Sequence, residues 1–220
     1  SFEGEIYRQL DNLIHESAQA LDQADPVTTK NSSGYALTQV LQKDGSFDLT
    51  PLFVGSQGTL GVVTAAQIQA QPHNLQNSIV MIGFTKIDDL ASFSSAVLTL
   101  EPSALEIIDK NLLNEVHTLQ SNQLKGIIES PYPNFVLIVE FDDPKDRDRQ
   151  RKIKKLNKIL DELDGTLLNE TSDPDEREKI WKVRNSAAVV MGANFKGRSA
   201  LPLIEDGCVP PENFAKLISG

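Results

Sequence analysis

Ser78-Ile79-Val80-Met81-Ile82-Gly83-Phe84 is an apolar run of strand length, and the segments downstream of it decide the fold. Ile87, Leu90, Phe93, Val97 and Leu100 recur at helical spacing, the pattern of a helix with one apolar stripe. Ala104 to Ile108 reads as a second strand, and a helix follows through Leu112, Leu113 and Val116. Phe135 to Phe141 is an apolar, β-branched strand. Pro144 to Leu163 reads as a helix with Ile153, Leu156, Ile159, Leu160 and Leu163 inward and Lys, Arg and Asp outward; Asp164-Gly165 stops it. Thr166 to Leu168 returns as a strand. Asp173-Pro174-Asp175-Glu176 sets an acidic cap before a proline at the first helical position, a start signal for the helix that carries Ile180 to Arg184. Leu201 to Glu205 reads as a last strand, and Pro210-Pro211-Glu212 opens a further helix. This alternation predicts an α+β sandwich with helices on one face of an antiparallel sheet. A ferredoxin-like arrangement of two βαβ units with additions is the natural candidate. No internal repeat or low-complexity segment interrupts it.

Upstream of this region, Ile6, Leu10, Leu13, Ile14 and Leu21 predict one helix, which Asp25-Pro26 ends. Thr29-Lys30-Asn31-Ser32-Ser33-Gly34-Tyr35 is a polar loop. A short helix or turn and an insertion around Lys43-Asp44-Gly45-Ser46 lead to Gly55-Ser56-Gln57-Gly58-Thr59-Leu60-Gly61-Val62-Val63-Thr64. Three glycines and three hydroxyl residues in ten positions allow two readings. Glycine admits φ > 0 and close backbone approach, so successive N–H groups could form an anion-binding concavity with hydroxyl donors beside it, fit for a diphosphate. The other reading is a tight hairpin between Pro51-Leu52-Phe53-Val54 and Leu60-Gly61-Val62-Val63.

Composition narrows the classes. With 220 residues, one or two domains are expected, and 40% hydrophobic against 24% charged residues suits a globular chain. A net charge of −10 argues against nucleic-acid binding, because phosphate backbones repel such a surface. The single cysteine, Cys208, excludes an internal disulfide or a cysteine-ligated cluster within these residues. No apolar run reaches the roughly 18 residues of a transmembrane segment. The acidic start, Ser1-Phe2-Glu3-Gly4-Glu5, is unlike a secretory signal, and with no initiator Met the chain reads as cut from something longer.

Four segments, in order, resemble one family. Lys30 to Tyr35 resembles a K-N-x-x-G-Y loop, and Gly55 to Thr64 a G-S-E-G-T-L-G-[IV]-[IV]-T signature. Ile180-Trp181-Lys182-Val183-Arg184 and Glu205-Asp206-Gly207-Cys208-Val209-Pro210 resemble W-x-x-R and D-x-x-[VI]-P elements of a cap domain. The family is the FAD-linked oxidases and dehydrogenases of the p-cresol methylhydroxylase/vanillyl-alcohol oxidase fold, in the D-lactate dehydrogenase and glycolate oxidase flavin-subunit branch. The resemblance implies that residues 1–73 are the C-terminal portion of the FAD-binding domain and 74–220 a substrate-binding cap, incomplete at its C-terminus. It also implies an internal fragment, since a first FAD subdomain would precede it and an H-x-G-D-G-N-x-H segment would follow. FAD held by this stretch alone would then be held weakly.

For the sites, the resemblance implies FAD contacts from Lys30, Asn31, Gly34, Tyr35, Gly55, Ser56, Gly58, Thr59, Gly61 and Val62. The glutamate of the glycine signature is Gln57 here, which keeps shape and an acceptor but loses the charge. Arg184 is implied to hold the carboxylate of a D-2-hydroxy acid through its planar fork; otherwise it is an exposed helical arginine paired with Glu176 or Asp175. Trp181 reads as packing. His15, His73 and His117 are too scattered to form a metal site, Cys208 reads as a small buried hydrophobe, and the basic run Lys145 to Lys158 as a solvated helix face. No catalytic residue is assigned within the chain: hydride transfer would be to FAD, with a base from the histidine-rich segment. The implied partners are a 2-hydroxy-acid substrate and an electron acceptor, either quinone, cytochrome or iron–sulfur module. The implied place is the cytoplasm or the inner face of the membrane. Two other classes stay open: another flavoenzyme of this fold, of alkyl-glycerone-phosphate synthase or aryl-alcohol oxidase type, and a non-catalytic module docking an electron-transfer partner.

Overall fold

All seven residues of β1 (Ser78–Phe84) are buried, so this strand needs apolar cover on two sides. The computed structural model describes residues 1–24, 28, 34–70, 74–192, 207 and 209–220. In it β1 pairs antiparallel with β3 (Phe135–Phe141) on one side and with β4 (Gly165–Thr171) on the other. β2 (Ala104–Asp109) lies outside β3, giving the order β2-β3-β1-β4. The helix α4 (Ile87–Leu98) joins β1 to β2, and α6 (Asp146–Asp161) joins β3 to β4. The result is two interleaved βαβ units, the ferredoxin-like order that the alternation predicts.

Alternate residues of the inner strands enter two separate cores. Val80, Ile82, Phe84, Leu137, Val139 and Phe141 meet Leu90, Phe93 and Val97 of α4 and Ile153 and Leu156 of α6. Ile79, Met81, Val136 and Ile138 meet Leu113 and Val116 of α5 (Lys110–Gln120) and Ile180 and Val183 of α7 (Pro174–Gly192). Helices therefore cover both faces, not one as the sequence suggests. The reason is legible in β1 itself: a strand without a polar side chain from Ile79 to Phe84 has no solvent face to offer.

Other boundaries shift for local reasons. The helix expected from Pro144 to Leu163 spans Asp146–Asp161, because Lys145 is extended. Not all of its charges point outward. Arg149 is buried, donating Nη1 to the Asp143 carbonyl at 2.6 Å and Nη2 to Asp146 at 3.0 Å. The strand expected at Thr166 to Leu168 runs to Thr171, because β-pairing with β1 continues past a register shift into polar Asn169 and Glu170. An edge strand needs no apolar run to keep pairing. The acidic cap is in place: Asp173 accepts from the N–H groups of Asp175 and Glu176, both at 3.0 Å. The strand expected at Leu201 to Glu205 lies outside the described residues, while Pro210-Pro211-Glu212 leads into a 3-10 turn and α8 (Phe214–Ser219).

By contacts the chain divides into two units, Ser1–Ala70 with Asp206–Pro210 and Gln71–Glu205 with Pro211–Gly220. In the first, the single helix expected up to Leu21 is two, α1 (Phe2–Glu16) and α2 (Ala18–Ala24), parted at Ser17. None of the residues of α1 is buried. The Lys43–Ser46 insertion is a turn closed by a Leu41–Phe47 bridge. Hydrogen bonds from the Ser46 side chain and backbone hold the Asp44 carboxyl below its ordinary range, and those from Thr50 do the same for Asp48.

Gly165 opens β4 in a tight place. A Cβ there would stand 2.7 Å from Phe84 Cε1 and 2.7 Å from Leu160 Cδ1, and Phe84 is buried. Gly165→Ala is expected to destabilise the protein by about 1–3 kcal/mol through overpacking, read as a lower denaturation midpoint in urea.

Candidate functional site

Glycine placement in the Gly55–Thr64 segment follows from two tight turns in series. Before them, Thr50–Phe53 forms one helical turn, α3. Val54 then has φ −69° and ψ 117°, Gly55 has φ +80°, and the Ser56 N–H donates to the Phe53 carbonyl at 3.2 Å. That is a type II turn, whose third residue needs positive φ. Next, Gln57 and Gly58 both have positive φ, +52° and +77°, and the Thr59 N–H donates to the Ser56 carbonyl at 3.0 Å. That is a type I′ turn. Residues 61–70 have no regular structure. The hairpin reading therefore does not hold: a helical turn stands where its first strand would be.

The two turns leave donors facing out. Among the described residues, the N–H groups of Gln57 and Gly58 have no acceptor. Ser56 is buried, whereas Gly55 and residues 57–63 are exposed, Val62 at 90%. Gln57 sits in a left-handed conformation that an ordinary side chain adopts at a cost.

A second motif reaches this segment. The Tyr35 hydroxyl lies 2.8 Å from Thr59 Oγ1, and Thr59 Oγ1 lies 2.6 Å from the Ser56 carbonyl. A threonine hydroxyl has one proton. Thr59 gives it to Ser56, so Tyr35 is the donor in the other bond. The polar loop and the glycine segment, 24 residues apart, are thus clamped by one hydroxyl. Gly34, beside Tyr35, has φ +67°. Lys30 and Asn31 lie outside the described residues.

In the second unit, α7 carries a row of polar groups along the sheet. Arg184 donates Nε at 3.2 Å and Nη2 at 3.1 Å to one oxygen, Glu106 Oε2, on β2. The partner is neither Glu176 nor Asp175. One turn earlier, Trp181 Nε1 donates to Glu140 Oε2 at 3.1 Å. The same carboxylate receives Asn77 Nδ2 at 2.6 Å and Ser103 Oγ at 3.1 Å. Trp181 packs against the core and also donates a hydrogen bond, so packing describes only its apolar body. Sequence reading passed over Glu106 and Glu140. Their signal is an acid within an otherwise apolar strand, at alternate positions on the face that α7 covers.

The remaining candidates scatter. His117 Nδ1 meets the buried Tyr132 hydroxyl at 2.9 Å, and His15 Nδ1 the Asp11 carbonyl at 2.8 Å. His73 and Cys208 lie outside the described residues. No group of three or more His, Cys, Asp or Glu among the described residues is placed to hold a metal, and no described helix is long and apolar enough to cross a membrane. A cavity of about 330 Å³ opens between residues 126–133 and β4, lined by Ile127, Ile128, Pro133, Leu168, Glu129 and Asn169. It contains none of the expected site residues.

The sequence model for "FAD linked oxidases, C-terminal domain" matches residues 75–220. The chain belongs to the FAD-linked oxidase family. Among curated relatives, the chain is 30% identical to a D-2-hydroxyglutarate dehydrogenase of Pantoea ananatis over 98% of the chain and 22% of that protein. It is 25% identical to a mitochondrial cytochrome-type D-lactate dehydrogenase of Kluyveromyces lactis, over 81% of the chain and 31% of the relative. It is 27% identical to the glycolate oxidase subunit GlcD of Bacillus subtilis, over 81% and 36%. The chain thus spans between 22% and 36% of the length of these relatives. A solved alkyldihydroxyacetonephosphate synthase superposes over 69% of the chain and 29% of its own, with 15% identity and a TM-score of 0.46.

Turn geometry separates two glycines of the segment. A Cβ on Gly58 would meet nothing within 4 Å, so Gly58→Ala tests backbone conformation alone; it is expected to cost about 1 kcal/mol. Gly61 has no positive φ and its Cβ would lie 3.5 Å from Phe53, so Gly61→Ala is expected to change stability by less than about 0.5 kcal/mol. Chemical denaturation of the two variants checks both. Glu140→Ala strands the Trp181 N–H and is expected to cost about 2 kcal/mol, with a shift in tryptophan emission as the local readout, Trp181 being the chain's one tryptophan.

Proposed function

We propose that the protein oxidises a D-2-hydroxy acid with FAD, residues 1–73 contributing to the FAD-binding domain and 74–220 forming the substrate-binding cap. The observation that carries this reading is the Tyr35–Thr59 hydroxyl bond. It joins two motifs that the family resemblance assigns to the same cofactor, although they are far apart in the chain. The residues present suit that group. The N–H groups of Gln57 and Gly58, without an acceptor among the described residues, are donors for a phosphate or flavin acceptor. Gly61, which neither turn geometry nor packing within the chain requires, leaves room for close approach. Gly34, Tyr35, Gly55, Ser56, Gly58, Thr59, Gly61 and Val62 would line the cofactor, with Lys30 and Asn31 joining them from the same loop.

The named activities of the relatives supply the substrate class: D-2-hydroxyglutarate, D-lactate and glycolate are small 2-hydroxy acids. FAD, when bound, supplies the two-electron acceptor. The protein's part is orientation and charge. Arg184 commits two of its five N–H groups to Glu106; three remain for a substrate carboxylate. An electron acceptor such as a cytochrome, quinone or iron–sulfur module would reoxidise the flavin, as the name of the Kluyveromyces enzyme suggests for the cytochrome.

Thr59→Val keeps the shape and removes the clamp. FAD titration, followed by flavin fluorescence, is expected to weaken by about 5- to 30-fold, the worth of one to two hydrogen bonds, with the circular dichroism spectrum unchanged. Undiminished FAD affinity in this variant would overturn the assignment of the segment.

A further inference from the structure

We propose that Glu106 is a positioning residue, holding the guanidinium of Arg184 in the orientation that receives the substrate carboxylate; the inference rests on the reading of Arg184 given above. Both Arg184 donors, Nε and Nη2, converge on the single oxygen Oε2 of Glu106. This engages one edge of the guanidinium plane and leaves both Nη1 hydrogens and one Nη2 hydrogen, the pair-forming end, for a second carboxylate. The Arg184 side chain is 43% exposed, so it is not sealed in the core.

Glu106 is fixed where a holder should be fixed. It stands mid-strand in β2, opposite Ile138, within a ladder that runs from Ala104–Glu140 to Asp109–Phe135. Two residues on, Ile108 lies in the same core as Ile180 and Val183 of α7. Strand and helix are thus locked together beside the ion pair, as a preorganised site requires.

Stability does not account for the pair. Its two side chains are 43% and 35% exposed, a setting in which ion pairs contribute little. Well-packed apolar residues at such an interface serve at least as well. Nor is Glu106 needed to satisfy other donors. Glu140, on the same face, already accepts from Trp181, Asn77 and Ser103 and ties α7 to the sheet. Among the described residues, Glu106 receives Arg184 alone. Held at one edge, a long arginine side chain has already lost the rotamer freedom that binding would otherwise cost it. The substrate carboxylate and that of Glu106 would then lie on different sides of the guanidinium, with the positive charge between them.

The test is steady-state kinetics of the FAD-loaded full protein with D-lactate, glycolate and D-2-hydroxyglutarate as alternative substrates, together with thermal melts. Arg184→Ala is expected to raise KM by roughly 100-fold for the substrate used. Glu106→Ala is expected to raise it by about 10-fold with kcat within about 2-fold. Glu106→Gln, which keeps an acceptor oxygen, is expected to raise it by about 3-fold and to carry the test if the alanine variant does not fold. The double variant should be no worse than Arg184→Ala alone. A readout apart from turnover is the Arg184 Nε–H resonance by 15N NMR, slow to exchange in the parent and fast in Glu106→Ala. If Arg184→Ala raises KM and Glu106→Ala does not, or if the two effects add, Glu106 has no positioning role and the substrate reading stands. If Arg184→Ala leaves KM unchanged, the substrate reading itself fails and this inference with it.

Discussion

Burial of β1 on both faces is the constraint on which the second unit depends. A strand with Ile79 and Met81 on one side and Val80, Ile82 and Phe84 on the other must be central and must be sandwiched. It takes β3 and β4 as neighbours, leaving β2 and β4 as edges. The crossovers α4 and α6 cover one face. The second face needs helices that do not belong to the βαβ units, which α5 and α7 provide. The helix proposed to carry the substrate-binding arginine is thus also a structural necessity of the sheet.

That double duty explains why α7 is polar on one side. Its Ile180 and Val183 fill the core, while Trp181 and Arg184, one turn apart, reach acids on the strands beneath. The two contacts differ in kind. Glu140 collects three neutral donors, one of them from Trp181, so it fastens the helix. Glu106 meets a single cation that keeps donors to spare. Half-exposed charge of the second sort adds little to stability, which makes a role in binding the better account.

In the glycine segment, local geometry and ligand binding account for different residues. Gly55 and Gly58 are where turns of type II and I′ demand positive φ. Such turns explain those two glycines without any ligand. They do not explain Gly61, or the N–H groups of Gln57 and Gly58, which have no acceptor among the described residues. Those are the features that a cofactor phosphate or flavin edge would use.

By itself the sequence determined the element types between Ser78 and Gly192, because apolar runs and apolar spacing near 3.6 are local properties written in each segment. It determined the α7 start, since Asp173 and Pro174 act within one turn. Through the family resemblance it also pointed to the family to which the chain belongs. Only the tertiary structure decided which acid meets Arg184, because Glu106 lies 78 residues away and comes near only when β2 pairs with β3 under α7. Which helices cover each face of the sheet, and the burial of Arg149, were decided there too, since a segment's periodicity records which face is apolar and not what packs on it. The clamp between Tyr35 and Thr59 belongs to the same class: two hydroxyls distant in the chain have no local signature until the turns between them bring them within 2.8 Å.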